Sequence, residues 1–428
     1  MIPVLESRTL RASPPLDYAS LVHADRVHGS LYSLPQVFDD EMDAIFHKGW
    51  VYVGHESEIP KPGDYVSRRM GKQSMILTRG ADQEIALLYD RCPHRGNKIC
   101  PADHGSVQSF VCVYHGWAFK PNGEFLMMPA PEGFPEGCDK AALSMARAPR
   151  LESYGGFVFA SLAPQGISLD RHLGRGKTMI DMLNGLSPEG RVRLDAGWMK
   201  HRLHGNWKGL VENHVDGYHP QIVHGSLLRA NKPFAGVRDR KDTSASRVRD
   251  LGNGHAELDF AADFRQRNVM LGWTGGVSTE RLPNYVDAMR QAYGEAEANR
   301  RLIDGPPHAA IFPNLLLAEM NIMFIEPLSE KETLQQTTAV MMEGGAELNP
   351  RTLRRCEGAL GPAGFLISDD AEITDIVQQG VSNTLPEWLL LKRGMHDEVV
   401  EEGGTRAGGL KDETTQRAFW SHYKNVMA

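Results

Sequence analysis

The sequence predicts an α+β protein built from two domains. The chain has 428 residues, which is more than one compact hydrophobic core usually serves. Residues 45–165 contain short β-type runs separated by Pro-Gly and Gly-Ala-Asp turns. After residue 165, helical and strand-like runs alternate. We therefore expect an all-β domain over 45–165 and a second domain formed by 1–44 and 166–428.

Local patterns assign the individual elements in chain order. Residues 39–48 have helical apolar spacing, with Met42, Ile45 and Phe46 on one side. Beyond the all-β region, the patterns predict helix over 206–224, strands over 309–328 and 333–343, and helices over 352–360 and 369–380. Residues 231–310 are polar and irregular, which is equally consistent with a lid over a site and with surface loops.

Composition and charge exclude several classes of protein. The chain is 41% hydrophobic and 24% charged, and 54 acidic against 47 basic residues give a net charge of −7. This balance argues against a general binder of nucleic acid or of anionic membranes. No apolar run approaches the roughly 18 residues of a membrane span, and the N-terminus lacks the apolar core of a signal peptide. We therefore expect a cytoplasmic protein whose five cysteines are ligands or free thiols.

The stretch RCPHRGNKICPADHGSVQSFVCVYHGWAF, at 91–119, holds two cysteines and two histidines in mixed pairs. Cys92-Pro-His94 is followed by 17 residues and then by Cys112-x-x-His115. A structural zinc site also uses four such ligands, but its pairs typically join like residues. One Cys and one His from each of two loops suit a [2Fe–2S] cluster, in which one iron takes both cysteines and the other both histidines.

A second constellation lies in NWKGLVENHVDGYHPQIVH, at 206–224. On a helix, Glu212, Asp216 and His219 fall on one face, and Asp216 is close enough to His219 for a carboxylate–imidazole hydrogen bond. His224 leaves that face, but the proline between the two histidines would distort the helix and let both imidazoles reach one metal. Neighbouring histidines on a helix are more often packed or surface residues, so the metal interpretation depends on its context.

The motif CPHRG…C…CVYHGW…F…NG closely resembles the Rieske domain of ring-hydroxylating oxygenases. The resemblance implies ligands for both irons of a [2Fe–2S] cluster, with the cysteines on one iron and the histidines on the other: Cys92, Cys112, His94 and His115. Cys100 recurs in that family without being a ligand, and we interpret it as a packing residue. Cys138 and Cys356 match no motif and are expected to be buried apolar thiols.

The resemblance runs over about 40–230 and 355–428 and gives the second constellation a role. The family uses D-x-x-H-x₄-H for its mononuclear non-haem iron, which implies His219 and His224 as ligands. Two histidines and one carboxylate form the facial triad of non-haem Fe(II) oxygenases. The implied catalytic domain has an antiparallel sheet covered by helices, in a helix-grip-like arrangement.

The third iron ligand is implied by the segment LGPAGFLISDDAEITDIVQQG. Members of the family carry G-P-A-G-F followed by a D-D pair, and the second aspartate binds iron. That position maps to Asp370, with Asp369 as the alternative after a slip of one residue. A helix N-cap at Ser368 or Asp369 is a competing role, although one residue can cap while the other ligates.

The resemblance also implies a catalytic role for Asp216. In a ring of three subunits, this aspartate would link its own His219 to His115 of the partner subunit. One carboxylate that accepts an N–H from each imidazole orients both rings and raises their basicity. By position, five more side chains are candidates for the substrate pocket: Asn213, His214, Gln221, Leu360 and Leu366.

The implied reaction is insertion of oxygen from O₂ into an aromatic ring, giving a cis-dihydrodiol with two oxygens or a phenol with one. The chain shows no dinucleotide fingerprint, so NADH would act only through a separate reductase, with or without a ferredoxin. We expect self-association as an α3 trimer, or as α3β3 with a small subunit. The resemblance is strongest to large subunits acting on aromatic acids such as salicylate or terephthalate.

Three alternatives remain. An O- or N-demethylating Rieske monooxygenase would carry the same metal sites. A non-enzymatic protein with structural zinc at 92–115 would contain neither iron nor labile sulfide. An electron-transfer ferredoxin would leave residues 166–428 and the D-x-x-H-x₄-H segment without a role.

Overall fold

A computed structural model describes residues 14–135, 137, 139, 141–230, 245–274 and 277–428. The fold class is α+β, as predicted, with an all-β domain followed by a larger domain of helices and antiparallel strands. No helix in these ranges is both long and apolar enough to cross a membrane.

The strands, in chain order, are β1 (Val22–His23), β2 (Arg26–His28), β3 (Val51–His55), β4 (Asp64–Met70), β5 (Gln73–Arg79), β6 (Ile85–Tyr89), β7 (His104–Ser106), β8 (Phe110–Val111), β9 (Ala118–Phe119), β10 (Phe125–Met127), β11 (Arg150–Tyr154), β12 (Phe157–Ser161), β13 (Val192–Arg193), β14 (Met199–Leu203), β15 (Arg247–Gly252), β16 (His255–Asp259), β17 (His308–Ile311), β18 (Leu315–Ala318), β19 (Asn321–Ser329), β20 (Glu332–Ala339), β21 (Met341–Met342), β22 (Trp388–Leu390), β23 (Val399–Val400) and β24 (Arg406–Gly409).

The α-helices are α1 (Tyr18–Leu21), α2 (Pro35–Glu41), α3 (Leu169–Leu173), α4 (Gly176–Asn184), α5 (Trp207–His214), α6 (Pro220–Val223), α7 (Gly225–Ala230), α8 (Ala261–Arg267), α9 (Pro283–Tyr293), α10 (Glu295–Asp304), α11 (Asn349–Leu360), α12 (Ile367–Gly380) and α13 (Thr414–Met427). Helix α2 continues as a π-helix over Met42–His47. The apolar side predicted for 39–48 is confirmed, because Met42, Ile45 and Phe46 are all buried.

The all-β domain consists of three small sheets. Their strand orders are β11-β12-β3, β6-β5-β4-β7 and β10-β9-β8. The last of these, with its flanking loops, packs on the second sheet through a compact apolar cluster that includes Ile76, Leu88, Phe110 and Phe119. Two loops that carry the Cys-His pairs therefore project from a rigid base.

A nine-stranded antiparallel sheet forms the centre of the larger domain. Its strand order is β14-β20-β19-β18-β17-β16-β15-β24-β23. Successive side chains of a strand point to opposite faces, and both faces are covered. One face, with Ala310 and Leu316, packs against α5 and α13. The opposite face, with Ala309 and Leu317, packs against α3, α4, α9 and α10. The predicted sheet covered by helices is confirmed.

Two sequence expectations are wrong. Residues 206–224 do not form one helix, because α5 ends at His214 and α6 begins only at Pro220. Glu212, Asp216 and His219 therefore do not share a helical face. Residues 231–310 are not irregular where the structure describes them, since they contain β15, β16 and three helices. The region contributes to the central sheet and is neither a lid nor a set of surface loops there.

A buried ion pair joins the helix that precedes the all-β domain to the larger domain. Lys208 Nζ lies 2.5 Å from Glu41 Oε1, and both side chains are fully buried. Glu41 also accepts hydrogen bonds from the Trp207 indole and the Tyr423 hydroxyl. Burial lowers the pKa of Lys208, and the Glu41 carboxylate opposes that effect. The pair fixes α5, which leads into the segment that carries His219 and His224, to its surroundings.

Candidate metal centres and active site

Two loops with the same backbone geometry carry the four candidate cluster ligands. In each of the loops 92–97 and 112–117, the cysteine carbonyl accepts a hydrogen bond of 2.9 Å from the glycine four residues later. The cysteine N–H donates a bond of 2.8 Å to the carbonyl five residues later. Gly96 and Gly116 adopt φ of 76° and 73°, which favours glycine. The mixed Cys-His pairs thus sit on two equivalent turns.

The four side chains separate into a thiol pair and an imidazole pair. Cys92 and Cys112 are only 2% and 1% exposed and lie side by side. The surroundings of Cys92 have opposing effects on its thiol. Burial raises the pKa of Cys92, while the backbone N–H groups of residues 94 and 95 lower it. The rings of His94 and His115 contact each other outside the thiols, with centroids 4.6 Å apart. This donor set fits a Rieske cluster, which has one Cys₂ iron and one His₂ iron.

Neighbouring side chains hold the cluster loops in place. The Trp117 indole stacks on His94, with centroids 4.8 Å apart and an interplanar angle of 2°. Asp90 Oδ1 accepts backbone N–H bonds of 2.9 Å from both Ile99 and Cys100. Cys100 is buried and its thiol donates to a backbone carbonyl, which agrees with a packing role.

The structure describes one of the two remaining cysteines, Cys356, but not Cys138. Cys356 is a buried thiol in α11, and burial raises its pKa to about 12. Cys138 lies outside the described residues, so its expected burial stays a prediction.

The second centre brings together two histidines and one aspartate. One ligand atom from each of His219, His224 and Asp370 lies within 4.8 Å of the other two. Asp370 Oδ1 is 3.3 Å from His224 Nε2 and 3.8 Å from His219 Nε2. Two imidazole nitrogens and one carboxylate oxygen are the donor set of the non-haem Fe(II) facial triad. The residues present therefore fit a mononuclear iron.

A turn, rather than a continuous helix, aims the two histidines at Asp370. Asp216 Oδ1 accepts the backbone N–H groups of Tyr218 and His219, an Asx-type turn that competes with helix. Gly217 follows, and a Cβ there would approach Leu410 O to 2.2 Å. Pro220 then occupies the first position of α6, where its missing N–H is harmless. The turn thus ends directly before His219, and the short helix α6 separates the two histidines.

A carboxylate oxygen lies next to the Nδ1 atom of each histidine. His224 Nδ1–H donates to Asp369 Oδ2 at 3.2 Å, which leaves Nε2 to face Asp370. His219 Nδ1 is buried without a hydrogen-bond partner and lies 3.6 Å from Asp216 Oδ1. Asp369 therefore lies on the far side of His224 from the convergence point. The competing N-cap role of Ser368 or Asp369 is wrong, because α12 begins at Ile367 and both aspartates fall in its first turn.

The candidate pocket residues divide into two groups. Asn213 Nδ2 lies 3.5 Å from Asp370 Oδ1, and His214 Nε2–H donates to the carbonyls of Ala309 and Leu317. The other three candidates, Gln221, Leu360 and Leu366, have different surroundings. Gln221 is exposed and accepts a bond from Lys411 Nζ, while Leu360 and Leu366 pack in the larger apolar core.

Sequence reasoning missed one residue beside the centre. His308 stacks on His214, with ring centroids 4.4 Å apart and an interplanar angle of 14°. Its Nε2–H donates to the His214 carbonyl at 2.8 Å, and its Nδ1 is buried without a partner. His308 opens β17, some ninety residues away from His214, so no local pattern links the two.

Comparison with known families assigns both halves of the chain. Residues 49–146 match the family described as Rieske [2Fe-2S] domain. Residues 187–428 match the family described as ring hydroxylating alpha subunit (catalytic domain). The second match covers more than half of the chain, which therefore belongs to the family of ring-hydroxylating alpha subunits.

Individual relatives agree with this assignment. The chain is 30% identical over 378 residues to toluate 1,2-dioxygenase subunit alpha of Pseudomonas putida, covering 85% of this chain and 82% of that one. It is 35% identical over 283 residues to N,N-dimethyl phenylurea N-demethylase subunit alpha of Sphingobium sp. (strain YBL2), covering 65% and 60%. A solved naphthalene 1,2-dioxygenase with indole bound has a TM-score of 0.82 at 24% identity, covering 96% and 95%.

The class of enzyme follows from these findings. The chain is the large subunit of a Rieske ring-hydroxylating oxygenase, an oxidoreductase whose family carries a [2Fe–2S] cluster and a mononuclear non-haem iron. The predicted family, fold, enzyme class and cofactors are confirmed. The catalytic-domain match leaves the zinc-protein and ferredoxin alternatives without support. The domain boundaries at 45–165 stay a prediction, as do the roles of the individual site residues.

Proposed function

We propose that this chain is a terminal oxygenase component that hydroxylates an aromatic acid with O₂ and electrons relayed from NADH by a separate reductase. Three of its relatives are named for the oxygenation of aromatic acids: toluate, 2-halobenzoate and anthranilate. Others are named as the large component of a dioxygenase system, which supports a division of labour between an oxygenase and electron-delivering partners.

The observation that carries this proposal is the convergence of His219, His224 and Asp370 within 4.8 Å. These three side chains would hold the mononuclear iron. When bound, such an iron supplies open coordination positions at which O₂ can be reduced beside the substrate. Asn213 and the stacked pair of His214 and His308 border the centre, so they would orient the ring and keep water away from it.

The cluster would be held by Cys92, Cys112, His94 and His115, and it would transfer one electron at a time. Trp117 would fix the plane of the His94 ring by stacking. The backbone N–H groups aimed at the Cys92 sulfur would favour the thiolate needed for ligation. These residues hold and orient the cluster and leave its imidazole side accessible.

We propose that electrons cross between subunits, through Asp216. Its Oδ1 is held by two backbone N–H groups of its own chain, and the side chain is 28% exposed, so the carboxylate can reach a donor from outside. Exposed apolar side chains surround both ends of this route. Val113 and Tyr114 flank the cluster histidines, and Ile222 lies between the iron histidines. A head-to-tail α3 trimer, alone or as α3β3, would cover both patches.

N-demethylation is the second candidate. The relative named as an N,N-dimethyl phenylurea N-demethylase has the higher identity, 35%, but this chain covers only 60% of its length. The metal centres suit either reaction, so the substrate pocket decides between them.

A reconstituted assay distinguishes the two candidates. Purified holoprotein, a reductase of this enzyme class and NADH are supplied with ¹⁸O₂ and a panel of benzoates, salicylate and N-methylated arylureas. The proposal requires a hydroxylated aromatic acid that carries label from O₂. Formaldehyde from the arylureas without any hydroxylated acid would overturn it in favour of demethylation. His224→Ala should abolish product, while His396→Ala, at a side chain 81% exposed, serves as the control.

A further inference from the structure

A cavity of about 310 Å³ opens beside α11. Trp273, Met320 and Leu348 form its floor and are each no more than 2% exposed. Arg351, Arg354 and Arg355 line its rim. The volume lies at the lower end of the range typical of small-molecule sites, roughly 300–1,000 Å³. An apolar floor with charged groups at the rim is the form of site that holds an amphipathic small molecule.

The charge of this cavity is opposite to that of the chain. The protein has a net charge of −7, yet no carboxylate is found among the described residues that line the cavity. Arg355 donates to Glu319 and to the Trp273 carbonyl. Within the described ranges, no acidic side chain comes within 4.0 Å of the guanidinium of Arg351 or Arg354. Two cationic groups thus remain available for an anionic ligand.

Strained backbone surrounds the same cavity. Leu271 and Glu319 have φ of 59° and 58°, a left-handed conformation that is uncommon for residues other than glycine. Leu271 precedes Trp273 by two positions, and Glu319 directly precedes Met320 in the two-residue turn between β18 and β19. Arg355 bridges both segments through its two hydrogen bonds. The two-residue hairpin turn accounts for the conformation of Glu319, whereas the conformation of Leu271 is of the strained kind that persists where surrounding contacts enforce it.

The cavity is connected to the neighbourhood of the iron ligands. Trp273 lines it and also lines, together with Glu319 and His308, a smaller water-sized space. His308 in turn stacks on His214, next to Asn213. The smaller space and the stacked pair of His308 and His214 thus lie between the arginine-lined cavity and Asn213.

We propose that this cavity captures aromatic acid substrates, with the carboxylate between Arg351 and Arg354 and the ring against Trp273 and Met320. Arginine suits this role because its guanidinium can bind a carboxylate through two parallel hydrogen bonds. An uncharged aromatic compound of the same size lacks that interaction. The inference rests on the proposed function, because it assigns the substrate class of the same enzyme.

The first test compares kinetics in the holoenzyme with its reductase. Arg351→Ala combined with Arg354→Ala should raise KM for an aromatic acid about tenfold, the effect of losing one charge-assisted interaction. The kcat should stay unchanged, and so should the KM for indole. Arg191→Ala combined with Arg281→Ala removes two charges from exposed positions outside the cavity and should leave both constants at the wild-type value. An unchanged KM for the acid in the cavity variant overturns the proposal.

The second test locates the ligand directly. Crystals of the holoprotein are soaked with 4-bromobenzoate, and the bromine is found by its anomalous scattering. The proposal requires bromine beside Trp273 in the wild type and none there in the double arginine variant. An empty cavity in the wild type overturns it, and so does bromine in the cavity together with an unchanged KM, since that indicates binding at crystal concentration only.

The two proposals fail separately. If the wild type converts no aromatic acid, the proposed function is lost, while the bromine position still reports on the cavity. If it converts aromatic acids but shows no bromine in the cavity, only the capture site is lost. Equal visible absorption of the cluster and equal melting temperature show that the double variant is folded.

Discussion

Asp369 Oδ2 lies 3.2 Å from His224 Nδ1, on the opposite side of the imidazole from Asp370. A carboxylate in this position fixes the tautomer, so that Nε2 carries the lone pair directed at the metal position. The two neighbouring aspartates thus have different tasks: Asp370 faces both histidines, and Asp369 orients one of them. Their directions differ because successive residues of a helix are rotated by about 100°.

Asp369→Asn should weaken iron binding about tenfold, because the amide can still accept a hydrogen bond but no longer carries the charge that raises imidazole basicity. Iron retained after dialysis against a chelator, and the EPR spectrum of the Fe(II)–nitrosyl adduct, measure the effect. The [2Fe–2S] absorption should not change. Asp375→Asn, on the same helix, is the control, and equal iron retention in the two variants contradicts the prediction.

Asp216→Ala should leave both metal centres bound yet nearly abolish turnover, because the carboxylate proposed to bridge the centres is lost. Asp216→Asn keeps an acceptor for the N–H groups of Tyr218 and His219, so it separates the turn from the charge. Iron content, labile sulfide and the rate at which the mononuclear site oxidises a reduced cluster are measured. Normal coupled product formation in the Ala variant would rule out the bridge.

Glu41→Gln should destabilise the folded chain by about 3–5 kcal/mol, because Lys208 would remain buried without its counter-charge. The free energy of unfolding in urea measures the change. Lys120→Ala breaks a pair whose side chains are 52% and 51% exposed, and it should cost less than about 1 kcal/mol. A similar small loss in both variants would show that the buried pair is not needed.

Glu257 predicts a specific pH dependence of stability. Burial is the main cause that raises its pKa to about 7, from 4.5, and nearby Asp259 adds to the effect. The folded state therefore binds a proton that the unfolded state releases, and this stabilisation is lost as pH rises from about 4.5 through about 7. Glu257→Gln should remove that loss and stabilise the protein at pH 8 by about 1–3 kcal/mol.

Unfolding midpoints between pH 5 and pH 8 test this prediction. Glu295→Gln, at an exposed position in α10, should keep the wild-type profile. A wild-type profile in the Glu257 variant would contradict the assigned origin of the pH dependence.

Metal content provides a further test of the assembled protein. Carefully reconstituted chains should contain about three iron atoms and about two labile sulfides each, the sum of one [2Fe–2S] cluster and one mononuclear site. Elemental analysis and sulfide determination measure both. His219→Ala should lose one iron and no sulfide, whereas Cys112→Ala should lose the cluster. A protein that contains zinc and no labile sulfide would contradict the assignment of a [2Fe–2S] cluster and a mononuclear iron.

The parts of the site that could be predicted are those closed by short loops. The candidate cluster ligands lie on two turns of the same length, so that spacing alone brings each Cys-His pair together. The resemblance favours Asp370 over Asp369, and the structure turns Asp370 toward both imidazoles. The side chains that converge from distant strands and helices, such as His308 and Arg351, carry no local signal.

The fold was predictable where apolar periodicity was strong and was not where charge obscured it. The sequence predicts irregular structure where β15 and β16 form, because these interior strands of the sheet carry charged residues, including Arg249, Glu257 and Asp259. These groups neutralise one another across the strands. The continuous helix over 206–224 failed for a different reason: the side chain of Asp216 binds two backbone N–H groups that a helix would have used.

The separation of the buried thiols from the outer imidazoles limits where electrons can enter and leave the cluster. The rings of His94 and His115 form one small accessible surface, whereas the two cysteines are buried in the protein. In the proposed α3 ring, the neighbouring subunit that receives the electron would stay bound at this area. A reductase or ferredoxin would therefore have to load the cluster from the part of the imidazole edge that the ring leaves uncovered.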